Sequence, residues 1–583
     1  MKSIRIVLAL LLMLALVAGC TTTATTTGTS SGTTAGTTAG TTDGTTAGTT
    51  AGTTAGTTAG SNTPDSPFFK YDPGITISMI RSVDTNREFM AGETWDKNLW
   101  TEAYQERLGI SFEYPWTSMP DEYTNKVNMA IASNDLPDYF AVTYDQFYRL
   151  AAAGQLADLT PYVDNIGTPA MKASLDANDG LMRTQMSYDG KIMAIGEYRD
   201  LTGAGYMLWY RNDWAQKLGF GTPQTPEDLW KMAEGFATGD PNGDGSATVG
   251  FGVCQSLWGA GMGLEGWFAM DGAYPTIWVE KADGTLGYGA IDEACKVSLT
   301  KLQDAYKKGI IDNDFINKGD WVEAPDDIVK MKIGMVIGPI WFGDWKLKDV
   351  MMAMGDNSAT WTSMPVPQTK TPFDAKPANV YVVNAKCENP AAAVLISNLT
   401  GELLTGETAE GKYHDEKDAE GNIVNNFFHI LGFGYNEILS WNLYCAEKVT
   451  AALKSGDTSE LNAEQLSYYD RSKAYVDWKP GDDPTVGLAG YTSYSIFGPE
   501  GSQYVGDRMN KEGLQLMNAY YGPNTDTMNE NLGNLNSKRD EIFTAIIMGQ
   551  DVNAGFDEWV TFWNAMQGEK ITEEVNAWYA ANK

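Results

Sequence analysis

Histidine is scarce in this chain of 583 residues, which contains only His414 and His429. Many metal sites and catalytic sets use histidine, because its ring nitrogens bind metals and exchange protons near neutral pH. Two histidines are too few for a His-based metal cluster and make a conventional Ser-His-Asp set a poor fit, although one histidine suffices for a triad. Carboxylates are abundant, so acid–base chemistry of the glycosidase kind stays open.

Basic residues are also few for a chain of this length. The 42 Lys and Arg face 75 Asp and Glu, which gives a net charge of -33. Nucleic-acid binding requires clustered basic side chains to neutralise phosphates. The composition therefore excludes nucleic acid as a partner and favours a protein that stays in solution through its charge.

Cysteine is limited to five residues, and no apolar run is long enough for a membrane-spanning helix. The longest run, Ile6–Leu16, falls short of the roughly 20 residues that a spanning helix needs. After Cys20, four cysteines remain, and they allow two disulfides in three connectivities. Their wide spacing shows no disulfide framework, so we expect buried free thiols at Cys254, Cys295, Cys387 and Cys445.

Residues 1–20 have the pattern of an export signal. Lys2 and Arg5 precede the apolar run, and the signal ends in Leu-Val-Ala-Gly before Cys20. This ending resembles the lipobox of bacterial lipoproteins, which implies that Cys20 carries lipid and becomes the mature N-terminus. Two acyl chains give stable anchoring. We therefore expect anchoring at the extracellular face of the cell membrane; the alternative is a simple secretory signal with an incidental cysteine.

Residues 21–67 are rich in Thr, Gly and Ala and repeat the unit TTAG from Thr33 to Gly60. The repeat region holds no apolar side chain larger than alanine, so no burial offsets the entropy that ordering it would cost. This segment is predicted to be a flexible tether.

Beyond the tether, strand and helix patterns alternate, which predicts an α/β protein with mainly parallel sheets. A strand is expected at Gly74–Ile80 and a helix at Trp95–Leu108, with Gly109 as its capping residue. Ligands in such folds bind beyond the carboxyl ends of strands. This rule places a candidate site at the loops 81–95 and 143–145.

The segment from Gly190 to Trp214 contains two apolar strands joined by small residues. Such a pattern suits a strap that carries the backbone from one lobe to another, with residues 196–205 as a hinge. Tyr198, Tyr206 and Trp209 are placed to reach a ligand beside it. The stretches 361–367 and 379–383 are predicted to form a second strap, and residues 406–426 an exposed polar insertion.

Several segments, in this order, resemble the extracellular solute-binding proteins of bacterial ABC importers, family 1, in their sugar-binding lipoprotein branch. The segments are Leu136-Pro137-Asp138-Tyr139, residues 152–161 (AAGQLADLTP), Trp209–Asp213, Thr225–Leu229, Asp240–Gly245, Tyr521–Thr525 and Phe543–Gly549 with Trp559. Together they span nearly all of the chain after the tether.

The resemblance implies a two-lobed type II periplasmic-binding-protein fold of the α/β class, with a central ligand cleft and a hinge. Residues 68–198 and 380–440 are expected to form lobe 1, and residues 199–379 and 441–583 lobe 2. The family captures oligosaccharides or other solutes and passes them to the transmembrane subunits of an ABC permease. A monomer without a required cofactor is expected.

Aromatic side chains in loops are the expected sugar contacts, because a ring covers the C–H face of a sugar while polar groups bind its hydroxyls. The family places such residues after the Gly338-Pro339 turn, after the strand ending at Thr143, and in the loop of Trp258. The predicted ligand-binding residues are Arg81, Trp95, Tyr144, Asp145, Trp209, Trp258, Trp267, Trp341 and Trp345.

The loop Asp240–Ser246 matches the first half of an EF-hand-type calcium loop. Relatives in the resembled family hold calcium there with acids a few residues further on, where this chain has Thr248 and Val249. One interpretation is a structural Ca²⁺ held by Asp240, Asn242, Asp244 and Ser246; the other is an Asx-rich turn without metal.

Two other functions remain as alternatives. A surface glycoside hydrolase would need two carboxylates about 5–10 Å apart across the cleft, and no pair stands out in the sequence. A surface sensor or adhesin without a transport role would share the lipid anchor and the fold.

Overall fold

The computed structural model describes residues 62–198, 200–259, 261–320, 323–344, 346–406, 408–421 and 423–582. Cys20, the tether repeats and Trp345, all named above, lie outside the described residues. Within the described ranges, no helix combines the length and apolar character needed to cross a membrane.

The strands, in chain order, are β1 (Ile75–Ser82), β2 (Ile110–Glu113), β3 (Thr117–Ser118), β4 (Tyr139–Thr143), β5 (Ser187–Tyr188), β6 (Lys191–Ile192), β7 (Ala194–Gly196), β8 (Met207–Arg211), β9 (Trp278–Glu280), β10 (Leu286–Tyr288), β11 (Met335–Gly338), β12 (Trp361–Met364), β13 (Thr371–Phe373), β14 (Asn379–Val383), β15 (Glu416–Lys417), β16 (Ile423–Val424) and β17 (Gln515–Met517).

The α-helices are α1 (Leu99–Leu108), α2 (Pro120–Ser133), α3 (Tyr144–Ala152), α4 (Thr160–Ile166), α5 (Pro169–Gln185), α6 (Asn212–Lys217), α7 (Pro226–Thr238), α8 (Glu265–Ala269), α9 (Ala294–Lys307), α10 (Glu323–Val329), α11 (Leu347–Met354), α12 (Ala391–Thr405), α13 (Trp441–Ser455), α14 (Ala463–Asp477), α15 (Pro484–Gly487), α16 (Tyr491–Phe497), α17 (Ser502–Lys511), α18 (Asp526–Ile547), α19 (Val552–Ala565) and α20 (Gly568–Asn582).

Local sequence signals explain several of these boundaries. Gly109 ends α1 in the left-handed conformation, with φ of 68°, as the glycine after the apolar pattern predicted. The Thr225 hydroxyl oxygen accepts a hydrogen bond from the Asp228 amide at the start of α7, and the Asp228 carboxylate accepts one from the Thr225 amide. Such a capping box stabilises a helix start by about 1 kcal/mol.

The first sheet has the order β2-β1-β4-β14-β7, with β3 also paired to β1. Strand β1 is parallel to β2, β3 and β4, whereas β14 is antiparallel to β4 and β7. The carboxyl ends of β1 and β4 therefore lie side by side, at Ser82 and Thr143. This edge is where the parallel-sheet rule predicted a binding site.

The second sheet has the order β11-β8-β12 and is antiparallel throughout. The expectation of mainly parallel sheets is therefore wrong for this part of the chain. The reason lies in the connections: the chain enters this sheet from β7 along β8 and leaves it along β12 towards β14. When a chain enters and leaves a sheet at the same end, its entering and leaving strands run in opposite directions, as β8 and β12 do.

The segment predicted to be the strap joins the two sheets. Strand β7 belongs to the first sheet and β8 is the central strand of the second, so residues 197–206 carry the chain between the sheets. The chain returns through residues 365–378, between β12 and β14. Two passages at one place are what a hinge between two bodies requires.

Two large cores lie on either side of these passages. The first core contains buried side chains between Tyr71 and Ile195 and again between Val380 and Tyr435. The second core contains buried side chains between Leu208 and Val366 and again between Tyr520 and Val575. Each core draws on segments far apart in sequence, so neither forms from a continuous stretch. The four described cysteines are free thiols, and only Cys387 is not fully buried.

Candidate functional site

A cavity of about 340 Å³ lies directly beside the strap. Glu197, Tyr198 and Asp200 of the strap form one side of it. The other sides come from both halves of the chain, and they comprise Trp341, Leu404, Thr405, His414, Phe427, Ile430, Phe433, Gly434, Tyr435, Asn436, Leu439, Trp441, Asn442, Glu464 and Tyr468. Aromatic rings thus alternate with carboxylates, amides and a hydroxyl, the mixture that a sugar's faces and hydroxyls need.

The strap side of this cavity is held by hydrogen bonds. The buried Tyr435 hydroxyl donates to the Gly196 carbonyl at 2.8 Å. The Asp200 carboxylate accepts from the Thr202 amide at 2.9 Å and from the Ser440 hydroxyl at 3.3 Å. These bonds fix the residues after β7 against the segment that precedes α13.

Trp341 brings an accessible ring to the cavity. It lies in the 3-10 turn Ile340–Asp344, which follows β11 and the Gly338-Pro339 turn, and 39% of its surface is exposed. Its ring lies 6.2 Å from that of Phe497, centre to centre. The turn directs a large apolar ring to a solvent-accessible place, and single exposed tryptophans in a cavity suit ligand stacking.

Glu464 accepts hydrogen bonds from other side chains that line the first cavity. Its carboxylate accepts hydrogen bonds from Trp441 Nε1 and from the Tyr468 hydroxyl, each at 2.9 Å. His414 lies next to it, with Nε2 3.9 Å from Glu464 Oε1 and Nδ1 3.1 Å from Asp415 Oδ2. Burial lowers the pKa of His414, but the Asp415 and Glu464 carboxylates outweigh burial and raise the pKa above its usual value.

A second cavity, of about 360 Å³, adjoins the first at Phe427, Ile430 and Phe433. It lies at the carboxyl ends of β1 and β4. The Tyr123 hydroxyl ties these ends together by donating to the carbonyls of Ala141, at 3.0 Å, and Ile80, at 3.3 Å. Its lining consists of Met79, Ile80, Arg81, Ser82, Tyr123, Ala141, Asn379, Tyr381, Phe427, Phe428, Ile430, Leu431, Gly432 and Phe433.

The predicted ligand residues are thus divided among the two cavities, a contact with residues 521–524 and the protein interior. Arg81 lines the second cavity and Trp341 lines the first. Trp95 packs against Arg81, and the Arg81 guanidinium carbon lies 4.7 Å from the centre of the Trp95 ring. Tyr144 and Asp145 begin α3 and contact residues 521–524: the Asp145 carboxylate accepts from the Asn524 backbone amide at 3.0 Å and side-chain amide at 2.7 Å.

The structure places the other predicted tryptophans away from both cavities. Trp209 and Trp267 are 0% and 1% exposed, and Trp267 stacks on Phe251 with ring centres 3.8 Å apart. Trp258 is partly buried, and its Nε1 donates to Asp540 at 2.6 Å. Trp209 in β8 and Trp267 in α8 face the protein interior, because the periodicity of the strand and of the helix directs their side chains there. Core packing therefore explains why these rings are buried.

The Asp240–Ser246 loop satisfies its own polar groups. Asp240 Oδ1 accepts from the amides of Gly243 and Gly245, and Asp244 Oδ1 accepts from the Ser246 amide. Asn242 Nδ2 donates to Ser246 Oγ at 3.1 Å, and Lys217 Nζ donates to the Pro241 carbonyl at 2.6 Å.

Calcium takes six to eight oxygen ligands. The described residues contain no group of three His, Cys, Asp or Glu side chains placed to hold a metal. The Thr248 hydroxyl donates to the Phe236 carbonyl at 2.7 Å and so points to α7. The side chains of this loop offer two carboxylates, one amide and one hydroxyl, and the Lys217 ammonium group lies beside them.

Sequence reasoning missed most of the aromatic wall of the two cavities. Phe427, Phe428 and Phe433 follow the segment that was predicted to be an exposed polar insertion, and Trp441 begins α13. The aromatic residues between Phe427 and Tyr435 could have indicated this wall from the sequence. So many rings directly after a polar segment are expected to pack against the protein or a ligand.

Comparison with known proteins identifies the fold. The lipoprotein LipO of Bacillus subtilis (strain 168) is 22% identical over 524 residues, which cover 84% of this chain and 90% of LipO. The crystal structure of the alginate-binding protein AlgQ2 without calcium ion matches with a TM-score of 0.57 at 14% identity, covering 88% of this chain and all of AlgQ2. The substrate-binding protein FusA of S. pneumoniae, solved with kestose, matches with a TM-score of 0.55 at 17% identity, covering 87% of this chain and all of FusA.

These structures confirm the predicted two-lobed α/β binding-protein fold. The family model described as "Bacterial extracellular solute-binding protein" matches residues 100–410, more than half of the sequence. The chain belongs to the family of bacterial extracellular solute-binding proteins.

Proposed function

We propose that this protein is anchored by lipid at Cys20 to the extracellular face of the membrane and captures an oligosaccharide for an ABC permease. The observation that carries the proposal is the aromatic and polar cavity beside the strap, which both halves of the chain line. Rings such as Trp341 would cover sugar faces, while Glu197, Asn436 and Asn442 would bind hydroxyls. The names of FusA, crystallised with kestose, and alginate-binding AlgQ2 support a saccharide as the ligand.

The two cores support the proposed lobes, residues 68–198 with 380–440 and residues 199–379 with 441–583. Closure would bring the lobes together around the ligand by rotation at residues 197–206 and 365–378. The protein would act as a monomer that binds its ligand without changing it, and the permease would accept the closed form. The proposed capture requires no cofactor, and a Ca²⁺ at the Asp240–Ser246 loop would have a structural part only.

Calorimetric titration of the purified protein with neutral and acidic oligosaccharides tests the proposal. The variant Trp341→Ala should weaken binding about fivefold or more, because it removes about 1 kcal/mol of stacking. Phe68→Ala is a matched control, since Phe68 is similarly exposed, at 44%, and lines neither of the two cavities.

Two results would contradict the proposal. If no saccharide binds, the ligand is not an oligosaccharide. If the Trp341 and Phe68 variants lose the same amount of affinity, the cavity beside the strap is not the binding site. Recovery of the saccharide unchanged, checked by mass spectrometry after prolonged incubation, is the expected outcome for a binding protein. A shortened product would instead indicate a hydrolase.

A further inference from the structure

Arg81 is a buried cation with no carboxylate partner in the described part of the chain. It lies near the carboxyl end of β1, its surface is 8% exposed, and it lines the second cavity. Ion pairs within 4.0 Å are numerous elsewhere in this protein, for example between Arg211 and Asp213. Among the described residues, no acidic oxygen lies within that distance of the Arg81 guanidinium.

Among the described residues, the protein's own contacts with this guanidinium are those of Trp95 and the Tyr114 hydroxyl, and neither is an anionic partner. One nitrogen donates to the Trp95 carbonyl at a long 3.5 Å, and the Trp95 ring lies 4.7 Å from the guanidinium carbon. A guanidinium carries five N–H donors, and burying a charge is costly unless a partner compensates for it. The remaining donors border a cavity large enough for a sugar ring. This is the arrangement expected of a residue whose partner is a ligand.

The lining of the cavity supplies no acidic side chain to neutralise Arg81. Among the residues that line this cavity, Arg81 is the only charged one. The Arg87 guanidinium lies over the Phe428 ring, 3.6 Å from its centre, at the cavity wall. The nearby acids are occupied, since Asp84 pairs with Arg87 at 3.5 Å and Glu93 accepts the amides of Met90 and Leu99. A cavity lined by one cation and no anion is distinctive in a protein with a net charge of -33.

We infer that this cavity selects a saccharide that carries a carboxylate, a uronic acid unit, which Arg81 binds through paired hydrogen bonds. Arginine matches a carboxylate geometrically, because its planar fork donates two parallel hydrogen bonds. The rings of Tyr381, Phe427 and Phe433 would cover the C–H face of the same unit. The inference rests on the proposed saccharide-binding function and narrows it to acidic sugars.

The test compares saccharides that differ only in charge. We would titrate the full-length protein with trigalacturonic acid, its methyl ester and its carboxyl-reduced trimer at pH 7. The acid should bind at least tenfold more tightly than either neutral form. Arg81→Gln should lower affinity for the acid at least tenfold and leave affinity for the reduced trimer within about twofold. Arg183→Gln, which changes an exposed arginine paired with Asp176, is the matched control and should change neither.

Arg81→Lys keeps the charge but loses the planar fork, so it should retain part of the preference for the acid. Arg81→Lys also replaces Arg81→Gln in the test if the latter does not fold. The comparison of the three trimers with the wild-type protein depends on no variant. Equal binding of the three trimers by the wild type would overturn the acidic-sugar inference while leaving saccharide binding in place. Failure of every acidic and neutral saccharide to bind would overturn both.

Discussion

At the residue scale, Glu265 is a carboxyl group whose ionisation opposes folding. It is 4% exposed, its Oε1 accepts from the Gly259 amide, and its Oε2 has no hydrogen-bond partner in the described structure. Burial raises its pKa from 4.5 to about 7. Since the folded-state pKa exceeds the unfolded one, the stability linked to this group is complete below pH 4.5 and is lost as pH rises through about 7.

We therefore expect Glu265→Gln to stabilise the protein at alkaline pH. At pH 8 the free energy of unfolding should rise by about 2–3 kcal/mol, and at pH 5 the gain should shrink to about 1 kcal/mol or less. Urea unfolding at the two pH values measures both. Glu530→Gln, at an exposed position of α18, is the control and should show no pH-dependent gain. An equal gain at both pH values for Glu265→Gln would contradict the assignment of the raised pKa.

At the element scale, the strap depends on the backbone conformation of one glycine. Gly205 has a φ of 81°, and a Cβ there would lie 3.1 Å from Thr371 Oγ1. Gly203, two residues earlier, has no positive φ, and its Cβ would meet nothing within 4 Å. The backbone conformation therefore requires glycine at position 205 of the strap but not at position 203.

The variant Gly205→Ala should lower the free energy of unfolding by about 1–2 kcal/mol, because a side chain makes the left-handed conformation unfavourable. Gly203→Ala should change it by less than about 0.5 kcal/mol. Thermal and urea unfolding of the two variants measure these changes in the free energy of unfolding. A comparable loss in both variants would mean that the crossover as a whole, rather than the conformation of Gly205, limits stability.

The end of α1 and the start of α7 could be predicted from the sequence because their signals are local, whereas α1 begins at Leu99 and not at the predicted Trp95. Asn98, Gly109, Thr225 and Asp228 act within one helical turn of the ends that they define. The strap was also visible, as two apolar strands around glycines. The antiparallel second sheet was not, because its strand directions depend on where the chain enters and leaves that half of the molecule.

The candidate site could be predicted only in part, for the same physical reason. Trp341 follows the end of β11, which sequence patterns locate, whereas Arg81, expected in a loop, lies within strand β1 just before its end at Ser82. Trp209 and Trp267 carry the same kind of side chain in similar contexts, yet packing buries them. Phe427 and Phe433 reach the cavities only because residues 380–435 return to the first core. Tertiary placement, which no local pattern encodes, decides which rings remain accessible.

At the scale of the whole molecule, a small contact joins the two halves away from the strap. Asp145 begins α3, whose Tyr144 and Phe147 belong to the first core, and Asn524 follows Tyr520 of the second core. Their bonds at 3.0 and 2.7 Å are accompanied by one from the Tyr144 hydroxyl to the Tyr521 carbonyl at 3.4 Å. Hydrogen bonds to a charged group contribute about 1.5–3 kcal/mol. The contact therefore favours this arrangement of the halves over a more open one.

Asp145→Ala and Asn524→Ala separate this linking role from the ligand contact predicted for Asp145 by sequence. If Asp145 links the halves, both variants should increase the radius of gyration measured by X-ray scattering without ligand. Both should also weaken saccharide binding several-fold, and the double variant should be no worse than Asp145→Ala, since coupled residues are not additive. If Asp145 instead binds the ligand, Asn524→Ala will leave both affinity and radius unchanged while Asp145→Ala alone weakens binding. The double-mutant cycle thus assigns Asp145 to the contact between the halves or to the ligand.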